Sequence, residues 1–132
     1  MKRLSVAFVA LLMWSVVNAQ SAAPDLTAAY KWLAVIDEGR YYQSWQYAGE
    51  LFKSRIEASQ WDQVLKGTRS KLGALQNRTL SGYGKRQQFS NLPEGDYLVL
   101  KFSSQFETAA LSEILVLTNE RGELRVVAYF IQ

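Results

Sequence analysis

Residues 93–106 read Pro-Glu-Gly-Asp-Tyr-Leu-Val-Leu-Lys-Phe-Ser-Ser-Gln-Phe. Pro93-Glu94-Gly95-Asp96 is a turn signal, with proline early and glycine after it. From Tyr97 to Phe106 the side chains alternate. Leu98, Leu100, Phe102 and Phe106 fall on one face; Val99, Lys101, Ser103 and Gln105 fall on the other. A period of two over ten residues predicts a half-buried antiparallel strand. Further along, Glu113 to Thr118 is a second strand, apolar on both faces after its first residue. Asn119-Glu120-Arg121-Gly122 reads as a short hairpin turn, and Leu124 to Ile131 as the last strand.

Working back towards the N-terminus, Ser81 to Pro93 is polar and contains glycines, a pattern for a long turn or an irregular strand edge. Ala74 to Leu80 is a candidate first strand. Before it the period changes to that of a helix. Trp61, Leu65, Thr68 and Leu72 share one face of a helix that starts at Ser59 and stops at Gly73. Ser59 followed by Asp62 reads as a variant capping box. Tyr41 to Lys53 predicts a second helix, in which Tyr41 stands one turn from Trp45 as a packing pair. Leu26, Ala29, Tyr30, Leu33 and Ile36 predict an earlier one over 26–38, closed by Gly39. The expected fold is α+β, three N-terminal helices packed on a C-terminal antiparallel meander of three to four strands.

The first residues carry a different message. Met1-Lys2-Arg3 is basic, Leu4 to Val17 is almost wholly apolar, and Val17-Asn18-Ala19 presents small or aliphatic residues where signal peptidase reads. Residues 1–19 are therefore expected to be a signal peptide cut between Ala19 and Gln20, with a flexible lead over 20–25 and one domain over 26–132. The apolar run is shorter than the roughly 20 residues a membrane-spanning helix needs, and the mature chain carries no transmembrane segment. No cysteine follows the run, which excludes lipid attachment of the bacterial lipoprotein kind.

The whole chain has 15 basic and 12 acidic residues. Lys2 and Arg3 leave with the signal and no acid does, so 13 basic residues face 12 acidic ones in the mature chain. Nucleic-acid binders carry a clustered basic surplus, and Lys66, Arg69, Lys71 and the Lys85-Arg86 pair do not form one. The chain contains neither histidine nor cysteine. That rules out Ser-His-Asp and Cys-His chemistry and removes the usual ligands of zinc, copper and haem. Gly82-Tyr83-Gly84 lacks the third glycine and the strand–helix setting of a phosphate loop, so no cofactor is expected. Asn77-Arg78-Thr79 is a chance glycosylation triplet.

A set of residues in order now stands out: Trp32-Leu33, Asp37 to Tyr41 with Trp45, Phe52, Trp61, Arg69, Leu72-Gly73, Arg78, Leu92-Pro93, Gly95, Tyr97, Phe106, Glu113 and Tyr129-Phe130-Ile131. This set resembles the bacterial family catalogued as domain of unknown function 4019. The family often has tryptophan just after the last turn, where this chain has Leu124, and glycine before the final tyrosine, where it has Ala128. The resemblance implies a small exported protein without an assigned activity. It also implies a roll similar to the cystatin-like and nuclear-transport-factor-like cone folds, which host both enzymes and binders.

Two charges sit where a simple core would not place them. Arg69 falls two turns after Trp61, on or beside the apolar face of its helix. Glu113 opens an apolar strand. A buried charge needs a partner, and the expected pairing is Arg69 with Glu113, Arg78 being a second claimant. The functional alternative is an anion-binding pocket built from Arg69, Arg78 and a tyrosine, with Glu113, Tyr129, Trp45 and Trp61 as the further candidate ligand-binding residues. Trp32, Trp45 and Trp61, one on each helix, otherwise read as core. Asp37-Glu38 reads as a solvated helix end, and Glu94 and Asp96 as turn chemistry. The expected function is a periplasmic or secreted, non-enzymatic domain that binds a small molecule or an envelope protein. One alternative is a cone-fold hydrolase or isomerase, which needs Glu107 or Glu113 facing an open cavity. The other is a structural part of an envelope assembly, which needs an exposed apolar patch on the sheet.

Overall fold

The computed structural model describes residues 23–132; the expected signal peptide and its cleavage site lie outside the described residues. Four helices, α1 (Thr27–Asp37), α2 (Tyr41–Tyr47), α3 (Glu50–Lys53) and α4 (Ala58–Leu72), precede four strands, β1 (Leu75–Arg86), β2 (Tyr97–Phe106), β3 (Ala110–Glu120) and β4 (Glu123–Ile131). The strands form one antiparallel sheet in the order β1-β2-β3-β4. The α+β class and the helix-then-meander order are as the sequence predicts.

The alternation in β2 sets the two faces. Leu100, Phe102 and Phe106 are fully buried, and Lys101, Ser103 and Gln105 are exposed between them. Pairing Leu100 with Leu115 and Leu115 with Tyr129 carries the same inner face across β3 and β4. Ala29, Leu33 and Ile36 of α1 and Trp61 and Leu65 of α4 close over it as one apolar core. The tryptophans pack as core should. The Trp61 and Phe52 rings meet edge to face at 4.8 Å, and the indoles of Trp32 and Trp61 donate to the backbone and hydroxyl oxygens of buried Ser44. The ring beside Trp45 is that of Tyr42, at 6.4 Å, while Tyr41 turns towards the core. A smaller cluster of Tyr97, Val116 and Val127 lies on the outer face, under Phe89 and Leu92 of the 87–96 connection.

Three boundaries differ from the sequence reading. β1 runs without a break through Ser81–Arg86, the start of the stretch that sequence leaves as a long turn or an irregular strand edge, and is there an irregular strand. One extra residue at Gln76 and another at Ser81 bulge the strand against β2, so its alternation changes phase twice and is lost to a period-two search. The expected helix over 41–53 is split at Ala48-Gly49, both extended. The sheet captures the chain there: the Gly49 N–H donates to the Val126 carbonyl of β4 at 2.8 Å, and the Glu120 carboxylate accepts from the Glu50 N–H at 2.8 Å. Finally, α4 starts one residue before Ser59, on an extended Glu57 with no side-chain cap, so the serine box is absent. Asp62 instead pairs with Lys66 one turn on, at 2.8 Å. The hairpin is as expected. Arg121 and Gly122 both have positive φ, +53° and +84°, as a two-residue turn of the twisted kind requires.

Two glycines in extended backbone should respond oppositely to a side chain. A Cβ on Gly49 would lie 2.5 Å from a Glu120 oxygen, whereas one on Gly84 would meet nothing within 4 Å. Gly49→Ala should lose about 1–3 kcal/mol of stability by overpacking and displacement of Glu120. Gly84→Thr should gain about 0.5–1 kcal/mol from strand preference. Urea unfolding of the two variants checks both signs.

Candidate functional site

Glu113 lies in the middle of β3, between Phe102 of β2 and Ile131 of β4, and its side chain has no exposure at all. A carboxylate without water must be met by protein donors. Oε1 accepts from Arg78 Nε at 2.7 Å and from the Ser104 hydroxyl at 2.5 Å. Oε2 accepts from Arg78 Nη2 at 3.1 Å and from the Tyr129 hydroxyl. β1 places Arg78 opposite Ser104, and β4 places Tyr129 opposite Leu115, two pairs along from Glu113 and so on the same face.

Arg78 also reaches away from the sheet. Its Nη1 and Nη2 donate to Oδ2 and Oδ1 of Asp37, at 2.7 and 3.0 Å, at the C-terminal end of α1. Arg69 of α4 donates from Nη2 to the same Oδ1 at 3.0 Å, its guanidinium 4.7 Å over the Phe106 ring. Two guanidiniums thus meet two carboxylates in one chain of contacts that ties α1 and α4 to β1, β2, β3 and β4. The side chains of Arg69 and Arg78 are 6% and 7% exposed, and that of Asp37 is 23%. Burial and the neighbouring Glu113 carboxylate push the Tyr129 hydroxyl well above the ordinary tyrosine range. Burial works against the Arg78 cation, but hydrogen bonds to Asp37 and Glu113 outweigh it and raise its pKa.

The structure therefore brings Arg69, Arg78, Glu113 and Tyr129 together, with Trp61 6.3 Å from Tyr129 between ring centroids. Trp45 stands apart, its indole donating to the Ile56 carbonyl at 2.8 Å. The expected Arg69–Glu113 contact is not made: Arg69 takes Asp37, and Glu113 takes Arg78. Asp37 is no free helix end. Its signal lies in the sequence, because it continues the buried Ala29–Leu33 stripe at i, i+4 and i+8. Ser104 had one too, as the single polar residue in phase with Leu98, Leu100, Phe102 and Phe106. Chemically the Glu113 end of the cluster is closed, while among the described residues the buried Nη1 of Arg69 has no hydrogen-bond partner. Both oxygens of Glu113 hold two hydrogen bonds each, and Arg78 spends four on its own carboxylates. Glu107, the other acid considered for catalysis, is exposed at the surface, packed over Gly73.

Open space lies elsewhere. A groove of about 850 Å³ runs between α1, the Arg40 and Tyr47 corners and the β3–β4 hairpin. Ala28, Val35, Leu124 and Val126 line it as an apolar floor, and Lys31, Arg40 and Arg125 bring cations to it. A second hollow of about 770 Å³ adjoins it where β1 ends, beside Lys85 and Arg86, and shares Asp25, Asn119 and Leu124 with the first. Among the described residues no group of three or more acidic side chains is placed to hold a metal ion, and no helix is long and apolar enough to cross a membrane.

Breaking the network should be costly on either side. Arg78→Ala and Glu113→Ala should each lose about 3–5 kcal/mol, while the double variant loses much less than the two together, as unfolding of all four proteins will show. The raised Tyr129 pKa has a defined sign. The folded state keeps its proton where the unfolded chain, with the ordinary value near 10.0, gives it up. This stabilisation is complete below about pH 10 and falls away as the pH rises further. Tyr129→Phe should flatten the alkaline limb of the stability curve above pH 10.

No curated protein and no solved structure matches this chain. The family model described as "Protein of unknown function (DUF4019)" matches residues 28–129. That span takes in all four helices but for one residue of α1, the buried network and most of the groove, and the chain belongs to the DUF4019 family.

Proposed function

We propose that this chain is an exported, non-enzymatic binding domain, periplasmic or secreted, whose ligand-facing surface is the groove between α1 and the β3–β4 hairpin. The observation that carries the reading is the groove itself. Its volume of about 850 Å³ falls within the range typical of small-molecule sites, and its apolar floor is bordered by polar and charged side chains from α1, the α1–α2 corner and the β3–β4 hairpin. The signal-like order of residues 1–19 supports export.

The placement of acids favours binding over catalysis. Glu113 is sealed, and the two carboxylates that line the groove, Asp25 and Glu123, each have a neighbouring partner. Hydrogen bonds from the Thr27 hydroxyl and backbone N–H hold the Asp25 carboxyl below its usual range, and Glu123 pairs with Arg125 at 2.5 Å. A general acid or base must reach its substrate, and Glu113, with no exposed surface, does not. A role for Arg69, Arg78, Glu113 and Tyr129 in the scaffold beneath the ligand fits their burial better than direct contact with it. A protein-interaction reading has one observation in its favour. Phe130 is 41% exposed on the outer sheet face, beside Ile114 across the strand and 6.0 Å from the Phe89 ring.

Two measurements test the proposal. Mass analysis of the N-terminus of protein recovered from the envelope should find a chain beginning at Gln20; a mature chain that retains Met1 to Ala19 contradicts export. Amide spectra of the mature domain, titrated with a small-molecule extract of the periplasm, should shift at residues 28–35 and 122–126. Ala34→Trp, at an exposed groove position, should abolish those shifts with a stability change of only about 0.5 kcal/mol. Shifts confined to Ile114 and Phe130 would favour the interaction surface instead.

A further inference from the structure

We infer that the groove selects an organic anion, a ligand with one acidic head, carboxylate or phosphate, on an apolar body. This rests on the reading of the groove as the binding surface and adds the chemistry of what it takes. Three cations reach the groove from three separate segments: Lys31 from α1, Arg40 from the α1–α2 corner and Arg125 from β4. Lys31 has no carboxylate within 4.0 Å among the described residues. The other two hold only exposed partners. Arg40 meets Glu38 at 2.6 Å, with side chains 46% and 58% exposed, and Arg125 meets Glu123 with side chains 39% and 66% exposed. Exposed pairs of this kind contribute little and are readily exchanged for a better-placed anion.

The position of Lys31 decides where the head sits. Ala28, Lys31 and Val35 follow one another at i, i+3 and i+7, so they share one face of α1, and all three line the groove. The ammonium therefore stands between two apolar surfaces of the helix, with Leu124 and Val126 across from it on β4. A head held at Lys31 leaves the body of the ligand over Ala28, Val35 and the β4 residues. A polyanion would also have to pass Asp25 and Glu123, which line the same groove, so a single acidic group fits best.

The test uses two fluorescent probes of similar apolar shape, the anion 8-anilinonaphthalene-1-sulfonate and the neutral N-phenyl-1-naphthylamine, with the mature domain. The anion should bind saturably and shift the amides of residues 28–35 and 122–126. Lys31→Ala, at an exposed position, should weaken it about tenfold, the scale of one lost charge-assisted hydrogen bond, and leave the neutral probe unchanged. Lys31→Arg should restore most of the affinity. If both probes bind in the groove equally and Lys31→Ala alters neither, the anion selectivity is wrong and the binding groove stands. If neither probe moves the groove amides, or if Ala34→Trp leaves anion binding intact, the groove reading falls and this inference with it.

Discussion

A carboxylate with no exposure sits in the middle of the sheet, and the arrangement of the rest answers to it. Glu113 could have been one more leucine in a run of Ile114-Leu115-Val116-Leu117. As a charge it must be matched by donors that are themselves out of water. β1 supplies Arg78, β2 supplies Ser104 and β4 supplies Tyr129, so every other strand of the sheet contributes to one residue. Arg78 has more N–H donors than Glu113 can take, and Asp37 accepts the remaining ones from α1. Arg69 joins through the same Asp37 and brings α4. A buried ion pair contributes little net stability over an apolar pair, but half of one is expensive. The consequence is directional: a slip of β1 or a rotation of α1 would leave a bare charge in the core, whereas an all-leucine interior would tolerate both.

The ease of reading the sequence followed how local each determinant was. β2 was legible to its ends because its ten residues keep one phase and are bounded by a proline–glycine turn. The β3–β4 hairpin was legible from Asn119 to Gly122 for the same reason. β1 was half legible, since two bulges and the pair Gly82 and Gly84 erase its period, and only its pairing with β2 keeps it a strand through Arg86. The break at Ala48-Gly49 has only the glycine as a local sign, and its extended geometry is set by contacts with Val126 and Glu120, more than seventy residues away. In the site, the misfit of Arg69 and Glu113 was visible, but their partners were not. Asp37 looks like a solvated helix end beside Glu38, but its phase with Ala29 and Leu33 places it towards the core. Arg78, a weaker claimant in sequence, became the hub because only β1 lies level with both carboxylates.

The sealed network and the open groove share one element. α1 turns Ala29, Leu33 and Ile36 to the core and ends in Asp37, while Ala28, Lys31 and Val35 face the groove. Anchoring Asp37 between two arginines fixes the pitch and rotation of the helix, and with them the position of Lys31. β4 is held in the same way, by Tyr129 at the network and by Gly49 and Glu120 where it borders the groove. Groups that meet a ligand keep their geometry only when the elements beneath them are rigid. In this protein the buried charges do the fixing, while Lys31, Arg40 and Arg125, with weak or no carboxylate partners, stand at the surface.

The Arg78 guanidinium stays buried between Glu113 and Asp37 as long as the protein is folded. Hydrogen exchange at its Nε–H, followed by NMR at neutral pH, should find a slow, protected proton whose exchange keeps pace with that of the most protected β2 and β3 amides, so that it is lost only when the whole domain opens. Rapid exchange of that proton while those amides remain protected would mean that the cluster opens within the native fold, and would contradict that burial.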